Sequence, residues 1–135
     1  MRKAKCFVLP FETLLNTIVF ANLVGNALKH TPEGGKVTVT AQLLTPSGAQ
    51  RHKKTWPRAI EVAVSDSGQG IPPEDLARVF ERFYQVDKSR KRSGSIGLGL
   101  AITREIVEAH GGSIKAESIV GLGMCFTVVL PVETQ

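Results

Sequence analysis

Asp66 closes an apolar strand-like run, "AIEVAVSD", and is followed at once by Gly68, Gly70 and the pair Pro72 and Pro73. A carboxylate at the rim of a core is costly unless it receives a hydrogen bond. Two roles fit it. It caps its own turn through the amides of Ser67 and Gly68, as is common for Asp before Gly, or it accepts an amino hydrogen from a base such as adenine. In the second role Gly68 and Gly70 serve twice, permitting positive φ and letting a flat ring approach backbone that carries no Cβ. A second set of polar residues is Asn22, Asn26 and Lys29, spaced four and three apart. On a helix all three project from one face over about two turns. Amide oxygens can hold magnesium or its waters and an ammonium can hold phosphate, although asparagines also sit on plain solvated faces. The third set is "SGSIGLGLAI", in which Gly94, Gly97, Leu98 and Gly99 lead into a helix. Backbone amides at such a start bind anions, phosphate above all, while taken singly the pattern is more often mere packing. Its spacing matches neither GxxxxGK[ST] nor GxGxxG, which excludes a Walker loop, a dinucleotide fingerprint and a protein-kinase glycine loop.

The elements that must position these groups are legible from periodicity. Glu12 to His30 repeats apolar residues at helical spacing (Leu14, Leu15, Ile18, Val19, Leu23, Leu28), and "TPEGG" stops it. "KVTVTAQLL" alternates Val37, Val39, Ala41 and Leu43 against polar residues, and "AIEVAVSD" repeats that period with Ile60, Val62 and Val64, so both read as half-buried strands. A polar connection, Thr45 to Arg58, lies between them. Pro72, Pro73, Glu74 and Asp75 form an acidic first turn for a short helix to about Phe83. Leu98 to His110 is a second long helix closed by Gly111 and Gly112. Ser113 to Ser118 and Met124 to Leu130 supply two more strands. This order predicts an α/β two-layer sandwich with a mixed, mainly antiparallel sheet and helices on one face.

Composition bounds the rest. At 135 residues the chain fits one domain that buries enough surface to need no disulfide framework. Cys6 and Cys125 lie near opposite ends without any CxxC or Cys/His cluster, so reduced thiols in a cytosolic compartment are expected. The longest apolar run, Thr17 to Val24, is interrupted by Asn22 and far shorter than a membrane span. The net charge of +5 is concentrated in "QRHKKTWPR" and "DKSRKR", both loops. With one Trp and one Tyr the stacking platform of a single-strand binder is poorly supplied, and no nucleic-acid partner is expected.

Taken together and in order, the motifs resemble the ATP-binding catalytic domain of sensor histidine kinases, within the superfamily that includes gyrase-type, large heat-shock chaperone and mismatch-repair ATPases. "NLVGNALKHTPEGGKVTV" is similar to that family's asparagine box and "DSGQGI" to its first glycine box. "VFERFYQVD" is similar to its phenylalanine box, and "GSIGLGLAI" with "IVEAHGGSI" to its second glycine box. The resemblance covers about Glu12 to Pro131, leaving 1–11 as an atypical N-terminal segment and 132–135 as a tail. It implies a Bergerat-type fold that binds ATP with Mg2+. By the same resemblance Asn26 coordinates magnesium with support from Asn22, Lys29 touches phosphate and His30 lines the nucleotide. Asp66 binds the adenine amino group, Gly68 and Gly70 line the base, and Ile71 and Phe83 pack around the pocket. Gly94, Gly97, Leu98 and Gly99 shape a phosphate lid.

Several positions depart from the family pattern. Ser95 and Ile96 replace the usual Gly and Ser or Thr, which is expected to stiffen the lid. Gln85 occupies a position often held by arginine, leaving Arg90 as the substitute candidate for contact with the γ-phosphate. Met124 replaces a small hydroxyl residue. "MRKAKCFVLPF" lacks the strand and acidic residue that usually precede the first helix, so a truncated chain or an internal start is expected. His30, His52 and His110 are followed by Thr31, Lys53 and Gly111, whereas acceptor histidines of the family are followed by an acidic residue. The expected activity is therefore transfer of the γ-phosphoryl group of ATP to a histidine on a separate dimerisation domain, with a response regulator as an indirect partner. The site would be cytoplasmic, or the cytoplasmic part of a membrane-bound sensor. A non-catalytic ATP-binding switch and a serine-kinase anti-sigma factor are the alternatives.

Overall fold

The fold, a computed structural model, is described for residues 11–44, 58–84 and 99–132. Helix α1 (Phe11–His30) leads into strand β1 (Val37–Leu44), followed by β2 (Arg58–Asp66) and the single-turn helix α2 (Pro73–Leu76). Helix α3 (Gly99–Ala109) and strands β3 (Ser113–Ile119) and β4 (Gly123–Val132) complete the described chain. The four strands form one sheet in the order β1-β2-β4-β3, and every pairing among them is antiparallel.

Register decides what the sheet buries. Val39 stands opposite Val64, Val64 opposite Phe126 and Phe126 opposite Ala116, so one row crosses all four strands on the same face. Two residues along, Ala41, Val62, Val128 and Ile114 form the next row. Val19, Leu23 and Ala27 of α1 and Val107 of α3 close over these rows, and together with Val64, Met124, Phe126 and Val128 they make the core. The helices thus lie on one face, as the strand periodicity predicts. Each fully buried valine, leucine or phenylalanine of this set contributes about 1.5 to 3 kcal/mol by leaving water.

Four expectations need correction. The helix predicted to reach Phe83 stops at Leu76, and the chain continues in turns with i to i−3 bonds such as Arg78 N to Asp75 O and Glu81 N to Arg78 O, both near 3 Å. That tighter path lets Val79 enter the core and sets Phe80 edge-on to Phe126, with ring centroids 6.1 Å apart. Phe83, expected as a packing residue, is 71% exposed and has φ +64. The alternation in β1 does not yield a half-buried strand, because the core under the helices draws on β2, β4 and β3 and reaches β1 only at Val37, so that Val39 and Leu43 remain more than half exposed. On α1, Ile18 and Leu28 also point outward, since only the stripe through Val19, Leu23 and Ala27 meets the sheet.

Candidate functional site

Asp66 ends β2 on the helix-facing side of the sheet and is partly buried. Its Oδ1 accepts two backbone amides, Gly68 N at 2.9 Å and Met124 N at 3.3 Å. The turn cap anticipated from sequence therefore exists, but with the amide of Met124 rather than that of Ser67 as second donor. Ser67 N instead donates to Lys36 O at 3.0 Å, and Lys36 N returns a bond to Ser67 Oγ at 2.7 Å. With Oδ1 occupied by chain amides, Oδ2 is the oxygen that takes no hydrogen bond from the described residues.

The glycines around Asp66 are demanded by the chain itself. Gly68 is buried and does not adopt positive φ, contrary to expectation; a Cβ there would run into the backbone carbonyl of His30 at the end of α1. Close contact between α1 and the turn is thus its requirement. Gly70 does have φ +71, and a Cβ on it would meet Ile119 O at 2.6 Å and Ser118 Oγ at 2.8 Å. Ser118 Oγ in turn accepts Ile71 N at 2.7 Å, while the Ile71 side chain packs on the core. The turn after Asp66 is consequently wedged between the end of α1 and the β3–β4 connection.

This wedge brings the asparagine face of α1 to the same region, because Asn26 lies one helical turn before His30. Asn26 is partly buried and its side chain has no hydrogen-bond partner among the described residues. Lys29 and His30 are exposed in the last turn of α1, where positive charge also complements the helix dipole. Asn22 does something the sequence does not announce: its Nδ2 donates to Thr103 Oγ1 at 3.2 Å and lies 3.4 Å from Gly99 O. It ties α1 to the first turn of α3. Gly99 itself opens α3 as expected, whereas Arg90, Gly94, Gly97 and Leu98, like Gln85, Ser95, Ile96 and His52, lie outside the described residues.

The residues missed by sequence reasoning are those that join elements: Ser67, Thr103, Ser118 and Gly123. A serine between an aspartate and a glycine carries no periodic signal, and its partner is 31 positions away. Removing its hydroxyl in Ser67→Ala should cost about 0.5 to 1 kcal/mol, since the bond is solvent-exposed. Urea denaturation would show it as a lowered midpoint with an unchanged slope.

No group of three or more His, Cys, Asp or Glu residues able to hold a metal occurs among the described residues. A magnesium ion fits only in the manner it commonly adopts with nucleotides, with one or two protein oxygens and the phosphates as ligands. The partly buried amide of Asn26, without a partner among the described residues, suits that arrangement. No described helix is long and apolar enough to cross a membrane.

Residues 13–134 match the family described as histidine kinase-, DNA gyrase B- and HSP90-like ATPases. The chain is 45% identical over 116 residues to sensor histidine kinase WalK of Bacillus subtilis, spanning 85% of this chain and 17% of WalK. It is 44% identical over 125 residues to the sensor-like histidine kinase SenX3 of Mycobacterium tuberculosis, spanning 92% of this chain and 27% of SenX3. The chain thus spans only 17% to 27% of the length of these relatives. Among solved structures, the mycobacterial sensor histidine kinase MprB superposes with a TM-score of 0.70 at 28% identity, covering 91% of this chain and 74% of that one. Full-length ShkA in complex with AMPPNP superposes with a TM-score of 0.68 at 30% identity, covering 90% of this chain and 22% of that one.

Proposed function

Because the chain belongs to the family of histidine kinase-, DNA gyrase B- and HSP90-like ATPases, and within it is a histidine-kinase ATP-binding catalytic domain, we propose that it binds ATP with magnesium between the Asp66 turn and the asparagine face of α1 and donates the γ-phosphoryl group to a histidine on a separate domain. The observation that carries this reading is the division of labour at Asp66: two chain amides hold Oδ1, and Oδ2, which takes no hydrogen bond from the described residues, would receive the amino group of adenine. Asn26 would hold magnesium through its amide oxygen and Lys29 would face phosphate. Arg90, Gly94, Gly97, Leu98 and Gly99 would surround the phosphates. The ion would neutralise charge developing on the phosphates. The chain's own contribution is orientation, since phosphoryl transfer needs little covalent work from the protein.

The described histidines support an acceptor outside this domain. His110 follows α3 at the end opposite Gly99, about 16 Å away at 1.5 Å per residue, and its Nδ1 lies 2.7 Å from Ile106 O of its own helix. His30 rides on α1 with Asn26 and cannot swing to the far side of a γ-phosphate. The partner expected is a histidine-bearing dimerisation domain, with a response regulator downstream and the whole on the cytoplasmic, ATP-containing side. Incubation with γ-labelled ATP should leave no acid-labile, base-stable label on this chain and should label an added acceptor domain. Label on the isolated chain would overturn the split arrangement. Nucleotide binding without transfer to any acceptor would assign a non-catalytic switch.

Asn26→Ala tests the metal role separately. Without the amide oxygen, the gain in ATP affinity on adding magnesium should fall about tenfold, while adenosine binds as before. Calorimetry with ATP and adenosine, each with and without magnesium, reads both. Equal losses for the two ligands would make Asn26 structural.

A further inference from the structure

We propose that Thr103 is a positioning residue which fixes the amide of Asn22 and thereby sets the start of α3 against the metal- and phosphate-facing side of α1. This rests on the nucleotide reading of the site given above. Thr103 is the one buried polar residue among the described residues, at 0% exposure. A hydroxyl in such a place is costly unless it is hydrogen-bonded. Here both of its capacities are used: Oγ1 donates to Gly99 O at 2.8 Å and accepts from Asn22 Nδ2 at 3.2 Å.

The bond to Gly99 alone is an ordinary helical back-bond to residue i−4. Asn22 is not accounted for that way, being 81 positions distant on another helix. A valine of the same shape would fill the core and leave the asparagine without this partner. The chemistry also decides which way the Asn22 amide faces. Gly99 O can only accept, and Thr103 Oγ1, its hydrogen already directed at Gly99 O, must accept as well. The amino end of Asn22 therefore faces α3, and its Oδ1 is turned away from both acceptors. Asn26 lies one turn further along the same helix, so the orientation of one amide bears on the oxygen-rich face both present. Gly99 is the residue at which the glycine-rich segment enters α3, so the same bonds fix that entry point relative to Asn26.

The test uses Thr103→Val, which removes the hydroxyl at nearly constant shape, and Thr103→Ser, which restores it. Thr103→Val should weaken magnesium-ATP binding about threefold to tenfold, leave adenosine affinity unchanged and speed amide exchange at 100–103 in the ligand-free chain. Thr103→Ser should return magnesium-ATP affinity to within about twofold of the starting protein. In the Asn22→Ala background Thr103→Val should weaken magnesium-ATP binding little further, because the bond between the helices is already gone and only the back-bond within α3 to Gly99 O remains to be lost. Thr103→Ala replaces valine if that variant does not fold, with the same expectations for ligand discrimination. Unchanged magnesium-ATP affinity, a parallel loss of adenosine affinity, failure of serine to rescue, or full additivity with Asn22→Ala would each overturn the positioning role. A starting protein that binds no nucleotide would instead refute the reading of the site, and faster exchange in Thr103→Val would then mark the tie as purely structural.

Discussion

Replacing Gly123 by alanine is expected to lower the stability of the domain by about 2 to 4 kcal/mol and to disturb Asp66 at the same time. Gly123 is buried at the start of β4 with φ +129, a conformation that residues with a Cβ rarely adopt. An added methyl group would also drive into the backbone carbonyl of Asp66 and approach its Oδ1 at 3.2 Å. Neither neighbour can yield without moving the end of β2, which is where the carboxylate is aimed. Gly121 supplies the control: it has φ +88 but open space around it, so its alanine variant should cost only the conformational part, about 1 to 2 kcal/mol. Chemical denaturation of both variants separates the two contributions. Equal losses would mean that contact with Asp66 adds nothing to the requirement for glycine at 123.

Asp66→Asn should weaken ATP binding by about 1 to 3 kcal/mol while the domain stays folded. The amide oxygen of asparagine can keep the two chain bonds now made by Oδ1 to Gly68 N and Met124 N. The other atom becomes an NH2 group, which meets the adenine amino group donor to donor. A base with a carbonyl at that position suits the variant better, so the preference for ATP over GTP should narrow or reverse. Titration calorimetry with both nucleotides, alongside circular dichroism, measures this. Unchanged ATP affinity in the folded variant would leave Asp66 with the turn cap alone.

Much of this was legible in one dimension. Helix α1 was readable because its apolar stripe recurs every three or four residues and Pro32 ends it, and β2 because Ile60, Val62 and Val64 alternate toward Asp66. The polar face of Asn22, Asn26 and Lys29 followed from helical spacing. Asp66 followed from a carboxylate ending an apolar strand, and the fourfold motif order placed the chain among histidine kinases. Those features are local or ordered along the chain, so periodicity and spacing suffice to specify them.

What the tertiary structure decided is which of these groups meet, and why the small residues are small. Val39 and Leu43 alternate as well as Val62 and Val64 do, yet they stay exposed because the core under the helices reaches β1 only at Val37, a fact of helix placement rather than of strand pattern. Gly68 is glycine for the sake of the His30 carbonyl, 38 residues upstream, and Gly123 for the sake of Asp66, 57 residues upstream. Asn22 reads as support for Asn26 on its helix face and is found bonded to Thr103 on another helix. A sequence records each residue's own preferences, whereas steric exclusion and hydrogen-bond pairing are properties of two residues at once, and the second partner is chosen only when the chain closes on itself.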